Sequence, residues 1–227
     1  MKKLLLILTI SLATFGAYAQ GKIGFNNDSL HLVYWGPGAG SLTGLAVNSD
    51  NMPAGIPGLQ VDLYMGTSSS LLYLYSSTTF GLLAAGPGKW TSMSVTANAN
   101  ATTGAPAIPT GASVFIDVVV HSTEKAPSNT FDSAALQTFY TSGSSGLFNF
   151  TLGGPITYPP MWGANGNWPA GTWPMDQYGA GSRGAIILGI PEPSIVVLAA
   201  LGAAASFIFR RKLFNEQSAR CKNCSSS

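Results

Sequence analysis

The sequence predicts an all-β fold, an antiparallel β-sandwich carried between two targeting segments, and three observations support it. Turn-formers are dense, with Gly 27 and Pro 14 in 227 residues and only 9% charged residues. That composition suits short strands joined by tight turns better than long helices or disorder. Between the turn marks lie short runs of β-branched and aromatic residues. A single stretch, Asp132 to Tyr140, reads as helical, with Asp132 placed to cap Ala134, Ala135 and Leu136.

The turns come first in that reading, at Gly36-Pro37-Gly38, Pro53-Ala54-Gly55, Pro57-Gly58, Gly86-Pro87-Gly88, Gly153-Gly154-Pro155 and Pro159-Pro160. The strands predicted between them are Ile23 to Asn26, Gln60 to Met65, Leu71 to Tyr75, Ser94 to Ala97, Val114 to Val120 and Phe148 to Leu152. Gln60 to Met65 alternates polar and apolar for part of its length, as a strand with one wet face does. Val114 to Val120 is nearly all apolar and is expected at the centre of a sheet. No internal repeat points to a propeller or solenoid.

The two ends read differently. Lys2 and Lys3 precede the apolar run Leu4 to Ala13, and Ala17-Tyr18-Ala19 supplies a small-residue cleavage pattern. Residues 1–19 are therefore read as a signal peptide that exports the chain through the inner membrane. At the other end Pro191-Glu192-Pro193 and Ser194 precede the apolar run Ile195 to Phe209, which is followed by Arg210, Arg211 and Lys212. Fifteen helical residues span roughly 22 Å against a hydrocarbon core of ~30 Å, so this transmembrane helix is short. The basic cluster acts as a membrane stop that stays cytoplasmic, leaving everything upstream outside.

The organisation expected is thus a signal peptide (1–19), an exported β-sandwich domain (20–190), a sorting and transmembrane segment (191–212) and a cytosolic tail (213–227). Both cysteines, Cys221 and Cys224, fall in the tail, so the exported domain holds no disulfide. A lone C-x-x-C lacks the second ligand pair of a zinc site, and the tail reads as an extension discarded with the helix.

Charge excludes one class of partner. Seven of the eleven bases are terminal, and residues 20–190 hold four bases against seven acids, a net of −3. A nucleic-acid partner is not expected, because binding draws on a clustered cationic face.

Chemistry is scarce within the exported domain. Its histidines are His31 and His121, no G-x-S-x-G elbow accompanies them, and its acids are scattered singly, so no catalytic residue and no enzyme activity is assigned. His121, at the end of the most apolar strand, reads as a structural histidine. Asn26-Asn27-Asp28 and Asn48-Ser49-Asp50-Asn51 could offer oxygens to calcium, but such clusters more often close Asx turns, and no metal or cofactor is assigned. Gly179 to Gly184 matches G-x-G-x-x-G yet leads into the β-like Ala185 to Ile190 where a dinucleotide site needs a helix. Asn27, Asn100 and Asn149 each start an N-x-[ST] triplet, a pattern of little meaning without its transferase.

The sharpest remaining feature is aromatic. Trp162, Trp168 and Trp173 lie in a stretch rich in Gly, Pro and Asn. They could form a glycan-stacking platform with Asn165, Asn167, Asp176 and Gln177 as hydrogen-bonding neighbours, or fold inward and plug one end of the sandwich; large aromatics in long loops favour the second.

The order Pro191-Glu192-Pro193, short apolar helix, Arg210-Arg211-Lys212 resembles the PEP-CTERM sorting signal of bacterial surface proteins. The resemblance implies recognition by an exosortase, a membrane cysteine transpeptidase. It further implies removal of the helix and delivery to the envelope, cell surface or an exopolysaccharide matrix. By it Pro191, Glu192 and Pro193 are substrate positions, and the apolar segment is a transient tag where composition alone would allow an anchor. The family's signal usually stops at the basic cluster, whereas this chain continues to Ser227. The exported domain is also similar to PEP-CTERM proteins typical of Verrucomicrobia, through Phe25-Asn26-Asn27, Leu63-Tyr64-Met65-Gly66, Gly88-Lys89-Trp90 and Pro109-Thr110-Gly111-Ala112. That likeness implies a fold and a location, and no activity. The function expected is that of a surface protein, structural in role, with a carbohydrate-binding module as the alternative.

Overall fold

In the computed structural model of the chain the described residues are 19–80, 86–168 and 185–190. The chain divides into two units, Met1–Ile190 and Pro191–Ser227, and every described residue belongs to the first.

Among the described residues nine strands follow one another: β1 (Lys22–Phe25), β2 (Val33–Trp35), β3 (Leu59–Ser68), β4 (Leu71–Thr79), β5 (Met93–Thr96), β6 (Ser113–Ser122), β7 (Ser142–Ser144), β8 (Phe148–Thr151) and β9 (Ile186–Leu188). Helix among the described residues is confined to two 3-10 turns and α1 (Ser133–Leu136), so the architecture is all-β. Asp132 does cap α1, its carboxylate accepting from the Ala134 amide at 2.8 Å, but the helix lasts one turn.

The largest sheet runs β4-β3-β6, and β7 and β8 share the far edge of β6. β6 is central, as its apolar composition predicts. Cross-strand pairs Val61↔Val120, Leu63↔Val118 and Met65↔Ile116 set its register against β3. Because side chains alternate at a period of two, all six face one core. That core also takes Ile23 and Phe25 from β1, Val33 and Trp35 from β2, Val95 from β5, and Ile186 and Leu188 from β9. The second set of strands forms two pairs, β1 with β5 antiparallel and β2 with β9 parallel.

The wet face expected on β3 is absent. Asp62 and Tyr64, its polar and aromatic alternates, are 0% and 3% exposed. Tyr64, Leu72 and Val119 make a second apolar cluster with Phe131 and Leu136, which belong to the connection between β6 and β7. That connection also covers the outer edge of β4, where Leu74 N donates to Asn129 O and Phe131 N to Leu72 O, both at 2.9 Å. Over Leu72 to Leu74 the edge so occupied offers no free ladder to another chain.

Residues 1–18 and 191–227 lie outside the described residues, and with them the signal peptide and the expected transmembrane helix. Among the described residues no helix is long and apolar enough to cross a membrane.

Candidate functional site

Two neighbouring strands of one sheet, β3 and β6, bring the domain's most chemically suggestive residues together. Gln60 opposes His121 across β3 and β6, which sets Asp62 beside the imidazole. His121 Nε2–H donates to Asp62 Oδ2 at 2.7 Å and Nδ1–H to the Ser122 carbonyl at 2.8 Å, so the protonated ring is satisfied on both sides. Burial alone lowers the pKa of this imidazole, but the hydrogen bond and charge of Asp62, helped by the Ser122 carbonyl and Glu124, raise it above the ordinary value. Gln60 Nε2 holds the other carboxylate oxygen at 2.8 Å. Phe139 covers the ring with centroids 4.2 Å apart.

Asp62, His121 and Ser122 are the residue types of a hydrolase triad, yet the geometry differs from one. The Ser122 hydroxyl turns to Glu124 Oε1 at 2.8 Å and lies 3.2 Å from Thr141 O, and only its carbonyl meets the imidazole. A nucleophile needs its hydroxyl on the base and open to substrate. Here Asp62, His121 and Ser122 are 0%, 1% and 0% exposed. His121 is the satisfied structural histidine that its position on β6 predicts.

Among the described residues Asp117 is the other buried carboxylate, directly opposite Tyr64 across β3 and β6. Burial pushes its pKa up from 3.8 to about 6, against the hydrogen bonds of Ser144 and Ser145, which favour the anion. Ser144 Oγ donates at 2.6 Å and Ser145 Oγ at 3.3 Å, both to Oδ1. Desolvation also raises the pKa of Tyr64, whose hydroxyl donates to Ser128 O at 2.9 Å. Composition offered no sign of Asp117's environment; its place inside an apolar strand was the signal.

Of the aromatic stretch, Trp168 folds inward. Trp168 is 5% exposed, with its ring parallel to Phe148 at 5.2 Å and against His31 at 4.5 Å. Trp90 lies next, stacked 6.3 Å from Trp168 and tilted 5.6 Å from Phe25. Trp168 is thereby withdrawn from any surface that could stack on a sugar. Asn165 and Asn167, expected as hydrogen-bonding neighbours of a glycan, instead complete the free edge of β8. Asn167 Oδ1 accepts from Asn149 N at 2.6 Å and Asn165 Nδ2 donates to Thr151 O at 3.2 Å. Trp162 remains 39% exposed, whereas Trp173, Asp176 and Gln177 lie outside the described residues.

The asparagine clusters close turns. Asn48 Oδ1 accepts from the Asp50 and Asn51 amides at 2.8 and 2.9 Å, and Asn51 Oδ1 accepts from Asn48 N and Trp35 Nε1 at 2.8 and 2.9 Å. Asn27 is buried, with Nδ2 donating to His31 O and Gly88 O at 2.8 Å each and Oδ1 accepting from Trp90 N at 3.3 Å. Asp28 Oδ1 meets His31 Nδ1 at 2.5 Å. Among the described residues no three His, Cys, Asp or Glu side chains group as metal ligands.

The C-terminal limit of the body is built into the fold. β9 pairs in parallel with β2, Val33↔Ile186 to Trp35↔Leu188, and Gly36 N donates to Leu188 O at 2.9 Å. On its other side Gly189 N donates to Ser142 O at 2.9 Å, and Gly189 O accepts from Thr141 Oγ1 at 2.8 Å. Residues 189–212, beginning at this clasped glycine, match the family described as PEP-CTERM protein-sorting motif. The chain carries a PEP-CTERM sorting motif. That motif marks a protein sorted by an exosortase, exported and placed at the cell envelope or surface. No curated protein and no solved structure is detectably similar to the chain. Within the PEP-CTERM segment Gly189 and Ile190 are described; Pro191, Glu192, Pro193, Arg210, Arg211 and Lys212 lie outside the described residues, as does the Gly179 to Gly184 loop.

Proposed function

We propose that this chain is a structural surface protein whose exported body is a β-sandwich without catalytic function, delivered to the envelope or an exopolysaccharide matrix. An exosortase recognises Pro191, Glu192 and Pro193 and removes the short membrane helix together with the Cys221 and Cys224 tail. The observation that carries the structural role is the use made of the body's buried polar residues. Asp62, His121, Ser122, Asp117 and Asn27 are each committed to hydrogen bonds that hold strand to strand or loop to loop. These five support rigidity, as hydrogen-bonded buried groups do, and present no reactive atom to solvent, although Asn26 Oδ1, Trp90 Nε1 and Trp168 Nε1 are buried without a hydrogen-bond partner.

The sandwich reading rests on the shared core. β3 and β6 supply one side of it, and the β1–β5 and β2–β9 pairs supply the other. Two layers around one apolar centre are the common solution for a chain of this composition.

The test has two parts. Fractionation of cells carrying an exosortase should place the body at the envelope or in the matrix. Mass spectrometry of that mature form should show Cys221 and Cys224 missing; their retention would replace the tag by a permanent anchor. A pull-down with neutral and acidic polysaccharides then separates the structural role from the carbohydrate-binding alternative. Binding that disappears in Trp162→Ala while stability is unchanged would favour that alternative.

A further inference from the structure

The sorting motif begins inside the folded body, and this has a consequence for how the tag is reached. Ile186 and Leu188 are 0% exposed, and β9 is clamped on both sides, by β2 and by the Thr141–Gly143 segment. Gly189 forms backbone hydrogen bonds in both directions with Ser142, at 2.9 and 3.3 Å. At Ile190 the carbonyl oxygen sits 2.6 Å from where a side chain on Gly38 would begin. The last clasped residue is therefore followed at once by Pro191.

An enzyme that reads an extended peptide needs the backbone groups on both sides of the scissile bond unpaired, because it binds them as an added strand does. Just upstream of Ile190 those groups are already spent: Leu188 O on Gly36, and Gly189 N and O on Ser142 and Thr141. We propose that β9 is retained in the mature protein and gates its own processing: the transpeptidase gains an extended substrate only as Gly189 and Ile190 detach from Ser142 and the Gly38 turn. The inference rests on the sorting reading above and adds to it a cut on the C-terminal side of Ile190. In that step one peptide bond breaks. Its acyl carbon passes through the enzyme to water or an amine of the acceptor, and the tag leaves with a free amino group. A cut upstream of Ile186 would remove two fully buried side chains, Ile186 and Leu188, and open the core.

The experiment uses the full-length chain in cells that carry an exosortase, comparing wild type with a variant holding ten Gly/Ser residues between Ile190 and Pro191. The linker touches nothing in the body, and equal resistance of the two bodies to protease checks that. The linker variant is expected to be processed faster by about threefold or more, since no local opening is then required. Thr141→Val, which removes the hydroxyl from Gly189 O, is expected to shift the rate the same way by less. Mass spectrometry of the mature wild type should place its last residue at or beyond Ile190. Equal processing rates of wild type and linker variant would overturn the gate, and a mature chain ending before Gly189 would overturn the retention of β9. If neither chain is processed and both keep Cys221 and Cys224, the sorting reading itself falls and takes this inference with it.

Discussion

Asn27 holds Gly88 across sixty-one residues of sequence, its side-chain amide donating to the glycine carbonyl at 2.8 Å. The same amide donates to His31 O, its oxygen accepts from Trp90 N, and Phe25 meets Trp90 ring to ring. One buried side chain thus joins the turn after β1 to the loop before β5. Asn27→Ala leaves two carbonyls and an amide without this partner in a dry site, which should cost about 3 kcal/mol. Chemical denaturation should show a lower midpoint with an unchanged slope; a loss below about 0.5 kcal/mol would mean that the loops hold without the clamp.

The buried Asp62–His121 contact predicts a strongly non-additive pair. Asp62→Ala strands a protonated imidazole among apolar neighbours and should destabilise by about 3–5 kcal/mol. Replacing both partners by apolar residues, Asp62→Leu with His121→Leu, removes the buried charge and should recover at least about 2 kcal/mol of that loss. A double variant as unstable as the sum of the two singles would show that the contact is not an ion pair.

Much of the fold was legible because the strands that matter most are long and apolar. Val114 to Val120 announces a central strand by composition, and Asp132 announces a cap by its place before Ala134. β7 was not legible: Ser142-Gly143-Ser144 has no strand propensity and is extended only because β6 and Gly189 pair with it. Nor could periodicity show that Asp62 is dry, since a polar residue in an alternating run looks the same whether water or a second covering layer faces it. The Phe25-Asn26-Asn27 and Gly88-Lys89-Trp90 motifs were visible as separate words. Their contact is a long-range one that no local pattern encodes.

Acidity should strengthen this fold over a defined window. Asp117 binds its proton more tightly folded, with a pKa of about 6 against 3.8, so its contribution is fully present below 3.8 and is lost as pH rises through about 6. His121 has its pKa raised above 6.5, and its contribution is present below 6.5 and is lost as pH rises through the folded value. Both act in one direction, so the thermal midpoint should fall from pH 5 to pH 8, with Asp117 alone accounting for about 1.4 kcal/mol over that interval. Glu124 is lowered and works oppositely, but only below its ordinary 4.5, outside that range. Asp117→Asn keeps an acceptor for Ser144 and should flatten the pH 4–7 part of the profile. A wild-type midpoint that rises toward pH 8 would contradict the assignment.

The two described tryptophans of the loop should differ in what their truncation costs. Trp168→Ala removes a ring packed between Phe148 and His31 and should cost about 3–5 kcal/mol. Trp162, 39% exposed, should cost under about 1 kcal/mol when truncated. Thermal melts of the two variants decide this directly, and equal losses would mean that Trp162 is packed as Trp168 is.

Close backbone approach makes the last prediction. β7 and β9 meet at Gly143, where an added Cβ would lie 2.3 Å from the Ile187 carbonyl oxygen and 3.1 Å from Ile186 Cγ2. Neither backbone can yield without breaking the Ser142–Gly189 pairing, so Gly143→Ala should destabilise by about 1–3 kcal/mol. Gly111 provides the contrast, with φ +72 and nothing within 4 Å of its would-be Cβ. Gly111→Ala meets only the left-handed backbone penalty, about 1 kcal/mol, and should leave β9 undisturbed. Amide exchange separates the two causes: Leu188 and Gly189 should lose protection in Gly143→Ala beyond the global change, and keep it in Gly111→Ala. If the Gly143 variant loses stability with β9 protection unchanged relative to the rest, the clash lies elsewhere and the clasp on the sorting motif is not formed through this contact.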